Sequence, residues 1–189
     1  MIKILAFGNS LTEGFGLTRE HSFASQLERR LIDMGYDVKV INAGLSGDTT
    51  FGGVRRLGFY LSEMPDLVIL ELGINDGFLE YPIEDIKNNL EKMIKDIQKI
   101  GAEILLVGTK IPKIFDEIDD NYCREFENIF NGIAEKYNLE LSHDFLGGIA
   151  GNEKLTLPDG VHPNEKGVRL MVDKVIDNVI KILKKIGAR

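Results

Sequence analysis

Five short apolar runs recur along the chain: Ile2–Phe7, Val38–Asn42, Leu67–Leu72, Ile104–Val107 and Leu139–Leu141. They are nearly continuous in Ile, Val and Leu, the pattern of strands covered on both faces. Helical stripes fill the gaps between them. Phe23, Leu27, Leu31 and Met34 form one, with Ser22 as N-cap. Val54, Leu57, Leu61 and Met64 form a second. In the third, Pro82 fits the first turn, Ile83, Ile86, Leu90, Met93, Ile94 and Ile97 recur on one face, and Gly101 fits the position just past the end. Phe126, Ile129, Phe130, Ile133 and Tyr137 mark a fourth. The last runs from a cap at Asn164 through Leu170, Met171, Val175, Val179 and Leu183 to about Ile186. We read all these stripes as core.

Strand–helix alternation implies right-handed crossovers and a mostly parallel sheet with helices on both faces. No linker, repeat or low-complexity tract interrupts the 189 residues. The expectation is one α/β domain over 1–189, a three-layer α/β/α arrangement on a five-stranded sheet. Such sheets bind ligands beyond the carboxyl ends of their strands. Functional residues should therefore follow strands, and four loops fit that rule.

The first strand ends in Gly8-Asn9-Ser10-Leu11-Thr12-Glu13-Gly14, a glycine-bracketed turn with a serine at its tip. After the second strand comes Ala43-Gly44-Leu45-Ser46-Gly47-Asp48-Thr49, and after the third Gly73-Ile74-Asn75-Asp76-Gly77. Asp159-Gly160-Val161-His162 precedes the last helix. A serine hydroxyl is a poor nucleophile until a base takes its proton. His162 can be that base, and Asp159 can accept from the other ring nitrogen, fixing the tautomer and stabilising the imidazolium. Attack on an ester carbonyl places negative charge on oxygen. The backbone N–H groups of Ser10 and Gly47 and the amide of Asn75 are the available donors. A glycine at 47 suits close approach of backbone to substrate.

Other chemistries find less support. The net charge of −7 and the scattered basic residues argue against a nucleic-acid or anionic-membrane partner. Cys123 is the only cysteine, which excludes an internal disulfide, and nothing beside it suggests an activated thiolate. No apolar segment has the length of a membrane span. With the first strand beginning at residue 2, no signal peptide is expected and the chain reads as cytoplasmic. His21, His143 and His162 lack metal-ligand spacing, so no metal is expected, and His21 and His143 read as surface or supporting residues. P-loop, G-x-G-x-x-G and G-x-S-x-G patterns are all missing, and Gly14-Phe15-Gly16 is too short a match to carry meaning.

Taken together, the four blocks resemble the SGNH hydrolases, also called GDSL-type esterases and lipases. Gly8-Asn9-Ser10-Leu11 is similar to the nucleophile block, Ser46-Gly47-Asp48 to the glycine block, Gly73-Ile74-Asn75-Asp76 to the asparagine block and Asp159-Gly160-Val161-His162-Pro163 to the acid–base block. They occur in the right order. Asn42-Ala43 before Ser46-Gly47-Asp48-Thr49, and Glu71-Leu72-Gly73 before Asn75-Asp76-Gly77, look like the small bacterial thioesterase/lysophospholipase/arylesterase branch. The resemblance implies a flavodoxin-like sheet, no cofactor, activity on small-molecule esters, and the roles given above for Ser10, Gly47, Asn75, Asp159 and His162. One departure is plain: the family usually has Asp where this chain has Asn9. Asn keeps an acceptor and gains donors but loses the charge.

Two loops are expected to wall the site, one with Phe78 and Leu79 and one with Ile114 and Phe115, joined by Leu157 near the acid–base loop. These apolar residues suit an acyl groove. The expected substrate is an ester, or a thioester, of a small to medium acyl group. A sugar O-deacetylase on the same site is the alternative, disfavoured by the absence of Trp as a stacking platform. A catalytically idle binding module, with Asn9 as its first sign of decay, is opposed by the intact Ser10, Asp159 and His162.

Overall fold

The computed structural model describes residues 1–115 and 117–187. The strands are β1 (Ile2–Gly8), β2 (Val38–Gly44), β3 (Leu67–Glu71), β4 (Glu103–Val107) and β5 (Glu140–Ser142). The helices are α1 (Ser10–Glu13), α2 (Phe23–Asp33), α3 (Thr50–Leu61), α4 (Ile74–Phe78), α5 (Ile83–Lys99), α6 (Asp120–Tyr137) and α7 (Glu165–Lys185), with a 3₁₀ turn at Arg19–His21. Strand order is β2-β1-β3-β4-β5 and every pairing is parallel. This is the flavodoxin-like order. The chain leaves β1 toward one edge and returns to β3 on its other side, which opens a crevice at their carboxyl ends. Ser10 follows β1 and Asn75 follows β3, so both border that crevice.

Burial explains the strand sequences. All of Leu67–Glu71 is buried, because β3 lies between neighbours and under helices on both faces. β2, at the edge, instead alternates buried Val38 and Val40 with exposed Lys39. Helices α2 and α7 pack on each other along one face, while α3, α5 and α6 form the layer on the other. The apolar stripe of α5 (Ile86, Leu90, Met93, Ile94 and Ile97) is fully buried. Truncating one such side chain to Ala costs about 2–5 kcal/mol. Phe7, Phe23, Phe126 and Phe145 are among the largest fully buried side chains.

The expected caps are present at Ser22 and Asn164, whose side chains accept from Ser25 N–H and from Lys166 and Gly167 N–H. Gly101 follows the end of α5 in the left-handed region. Some expectations need correction. Met34 and Met64 are exposed and belong to no core stripe: Met34 caps α2, and Met64 lies beyond α3 with φ 49. Pro82 stands one residue before α5, at the N-cap rather than in the first turn. Leu139 precedes β5 because Asn138 ends α6 in the left-handed region. The serine and asparagine loops are not open turns: each winds at once into a short helix, α1 or α4.

Candidate active site

Residues far apart in sequence meet at the carboxyl edge of the sheet. Ser10 is the first residue of α1 and is nearly buried. Asn9 caps that helix by accepting from Leu11 N–H at 2.9 Å. The N–H at the first helical position has no partner within its own helix, so Ser10 offers a backbone donor beside its own hydroxyl. His162 Nε2 lies 3.1 Å from Ser10 Oγ, and His162 Nδ1 lies 2.8 Å from Asp159 Oδ2. The second carboxylate oxygen, Oδ1, accepts from the N–H groups of Val161 and His162, both at 2.9 Å. Burial opposes ionisation of Asp159. Those two N–H groups and the imidazole outweigh it and hold the carboxyl below its ordinary value.

From the first turn of α4, Asn75 donates its amide to the Asp48 carbonyl at 2.8 Å, which fixes it to the loop carrying Gly47. One amide hydrogen stays available for another acceptor. Gly47 has φ 77, and a Cβ there would meet nothing within 4 Å. The backbone conformation, not close approach to a neighbour, therefore requires glycine.

Side chains outside the expected catalytic set hold this loop. Glu13 of α1 accepts from the N–H and hydroxyl of Ser46. Arg56 of α3 bonds Asp48 Oδ2 at 2.6 Å, the Ala43 carbonyl at 2.7 Å and the Gly8 carbonyl at 2.8 Å, while its guanidinium lies 4.0 Å over the Phe7 ring. Asp76 accepts from the N–H and hydroxyl of Thr50, and burial raises its carboxyl above the ordinary value.

Beneath α1 sits Glu71, the last residue of β3 and almost wholly buried. It accepts from Asn9 Nδ2 at 2.9 Å, Asn9 N–H at 3.3 Å and Thr12 Oγ1 at 2.8 Å. Burial pushes its carboxyl up to about 7 against those three bonds. Gly8 is small for the same reason, since a Cβ there would come within 2.5 Å of Glu71 Oε2. The sequence signal for this position is a single acid at the end of an otherwise apolar strand.

The expected wall residues lie on three segments of the chain. Phe78 and Phe115 stack with ring centroids 4.4 Å apart. Leu79 and Ile114 are exposed, and Ile114 lies against Gly151. Leu157 packs against Gly16. His21 pairs with Glu165 at the surface, and His143 is exposed. Burial raises the Cys123 thiol, the reverse of activation. No grouping of three His, Cys, Asp or Glu side chains suited to a metal occurs among the described residues. None of the described helices is long and apolar enough to cross a membrane.

A flavodoxin-like sheet with serine, imidazole and carboxylate in hydrogen-bond contact at its carboxyl edge defines the hydrolase class. Residues 6–170 match the GDSL-like Lipase/Acylhydrolase family. The chain belongs to that family and is a GDSL-type carboxylic ester hydrolase. It is 34% identical to an arylesterase of Vibrio mimicus over 182 residues, 96% of this chain and 90% of the relative. Identity to the esterase TesA of Pseudomonas aeruginosa is also 34%, over 85% of this chain and 79% of the relative. The psychrotrophic esterase EstA from Pseudoalteromonas, solved with monoethylphosphonate as inhibitor, superposes with a TM-score of 0.89 at 32% identity, covering 97% of this chain and all of EstA.

Proposed function

We propose that this chain hydrolyses carboxylic esters of small to medium acyl groups through an acyl-enzyme on Ser10. One observation carries the reading: the unbroken line from Ser10 Oγ through the two nitrogens of His162 to Asp159 Oδ2, at 3.1 and 2.8 Å. His162 takes the hydroxyl proton as Ser10 Oγ bonds to the carbonyl carbon. Asp159 holds the ring with Nδ1 protonated, leaving Nε2 free to accept. The Ser10 and Gly47 N–H groups and the Asn75 amide bind the oxyanion.

The carbon–oxygen bond to the alcohol then breaks, and His162 returns the proton to the departing oxygen. A water attacks the acyl-enzyme by the same steps in reverse and releases the acid. Phe78, Leu79, Ile114 and Phe115 supply apolar surface on the asparagine side of the site for the acyl chain.

The test is hydrolysis of short aryl esters by wild type and Ser10→Ala, with mass spectrometry after treatment with a serine-directed phosphonate. Expected are turnover that vanishes in Ser10→Ala and a single adduct on Ser10. Turnover that survives the substitution, or no adduct on Ser10, overturns the reading.

A further inference from the structure

The Gly14-Phe15-Gly16 corner follows the nucleophile helix directly. Gly14 and Gly16 both adopt left-handed backbone, φ 88 and 73. The N–H groups of Gly14 and Phe15 donate to the Ser10 carbonyl at 3.0 and 3.1 Å. The corner is thus tied to the backbone of Ser10 itself. A Cβ at Gly14 would come within 2.8 Å of Ser22 Cβ, and one at Gly16 within 2.6 Å of Leu157 Cδ1. Packed on both sides, the corner presents one large side chain. The Phe15 ring lies against the His162 imidazole, centroids 4.4 Å apart and planes 37° from parallel. It is nonetheless 47% exposed, so the imidazole covers only part of it.

The chemistry gives that exposed surface a direction. In the proposed mechanism the carbonyl oxygen is bound by Gly47 and Asn75. The departing oxygen must lie near His162 Nε2, which gives it a proton. The alcohol part of the ester therefore leaves along the imidazole side, where Phe15 stands on a corner whose Gly16 packs against Leu157. The stacked Phe78 and Phe115 belong with the asparagine side. We infer that Phe15, held on a corner that packs against Leu157 through Gly16, is the wall for the alcohol part of the ester and selects aromatic or bulky apolar alcohols over small ones. The inference rests on Ser10 as the nucleophile.

Ethyl and benzyl acetate test it, since their alcohols are of similar acidity and differ mainly in bulk. kcat/KM for both is measured in wild type, Phe15→Ala, Phe15→Leu and Leu157→Ala, beside a chain-length series of acyl esters of one fixed alcohol. The benzyl-over-ethyl preference should fall about five- to tenfold in Phe15→Ala and less in Phe15→Leu, which keeps apolar bulk. Leu157→Ala should move it the same way. The shape of the acyl series should persist. An equal loss on both acetates, or an acyl profile that shifts while the benzyl preference stays, overturns the inference. Ser10→Ala run alongside separates the two readings, because turnover surviving there sinks the Ser10 mechanism itself.

Discussion

Asn9 donates its side-chain N–H to Glu71 Oε1 at 2.9 Å while its own Oδ1 accepts from Leu11 N–H at the start of the nucleophile helix. The two partners fix the orientation of the amide, since an N–H needs an acceptor and a carboxylate needs a donor. An aspartate could cap Leu11 equally well. It could meet Glu71 only by sharing a proton, because two carboxylates at that distance cannot both ionise. The amide lets Glu71 ionise with every bond kept, so the departure at Asn9 leaves the turn intact.

Glu71 should set a stability slope. Its folded value of about 7 lies above the ordinary 4.5, so the folded chain binds the proton more tightly than the unfolded one. Stability from this group is complete below about pH 4.5 and declines as pH rises toward 7, by a total on the order of 3 kcal/mol. Glu71→Gln removes the slope. Melting temperatures taken from pH 4.5 to 7.5 should show wild type falling relative to the variant, whatever the constant offset between them. Parallel curves would contradict this.

Asn9→Asp should extend that slope upward. The folded pair would keep one proton at a pH where the unfolded chain keeps none. Stability would then drop about 1.4 kcal/mol per pH unit above neutrality, where the wild-type Glu71 contributes almost no slope. Denaturant titrations at pH 7, 8 and 9 should show the gap between variant and wild type widening. A constant gap would mean that the introduced carboxylate has moved away from Glu71.

Arg56→Lys should destabilise the whole edge. The side chain is 17% exposed and its partner Asp48 6%. A lysine cannot reproduce three bonds in separate directions and the stack on Phe7. Loss of a buried pair costs about 3–5 kcal/mol, and the lower end applies because Arg56 retains some solvent. At about 2–4 °C per kcal/mol for a chain of this size, the melting temperature should fall about 6–12 °C by calorimetry.

Asn75→Ala should strike kcat and spare KM. In the proposed mechanism the amide binds the developing charge, and losing one such donor costs about 2.7–4 kcal/mol in the transition state, or roughly 100- to 1,000-fold in kcat. A change confined to KM would place Asn75 in ground-state binding instead.

How much of this was legible in the chain depended on the kind of residue. The strands and α5 announced themselves because burial writes a period into sequence. Ser10, Asp159 and His162 could be picked out as candidates because nucleophile and base chemistry admits few residue types, and the fold brings the three into hydrogen-bond contact. Arg56 and Glu13 were not, since a charged side chain on an amphipathic helix reads the same whether it faces solvent or three carbonyl and carboxylate oxygens. Phe15 was passed over because its partner lies 147 positions away and only the fold brings the rings together.

Asp159→Asn probes the line from serine to carboxylate most directly. The oxygen that accepts from Val161 and His162 N–H can stay in place, so the loop should keep its shape. The atom facing His162 Nδ1 then becomes a donor. To accept from it, the ring must carry its proton on Nε2, and Nε2 then has no lone pair for the Ser10 hydroxyl. kcat should fall about 10³- to 10⁴-fold, with KM changed far less. Stability responds to this substitution through pH as well. Asp159 lies below its ordinary value when folded, so it adds stability above about pH 4 that is lost as pH falls through that depressed value. The variant should be modestly less stable than wild type at pH 7 and should converge with it in acid. A large loss of kcat with a small, acid-reversible loss of stability places Asp159 in the chemistry, whereas proportionate losses of both would reduce it to a loop anchor.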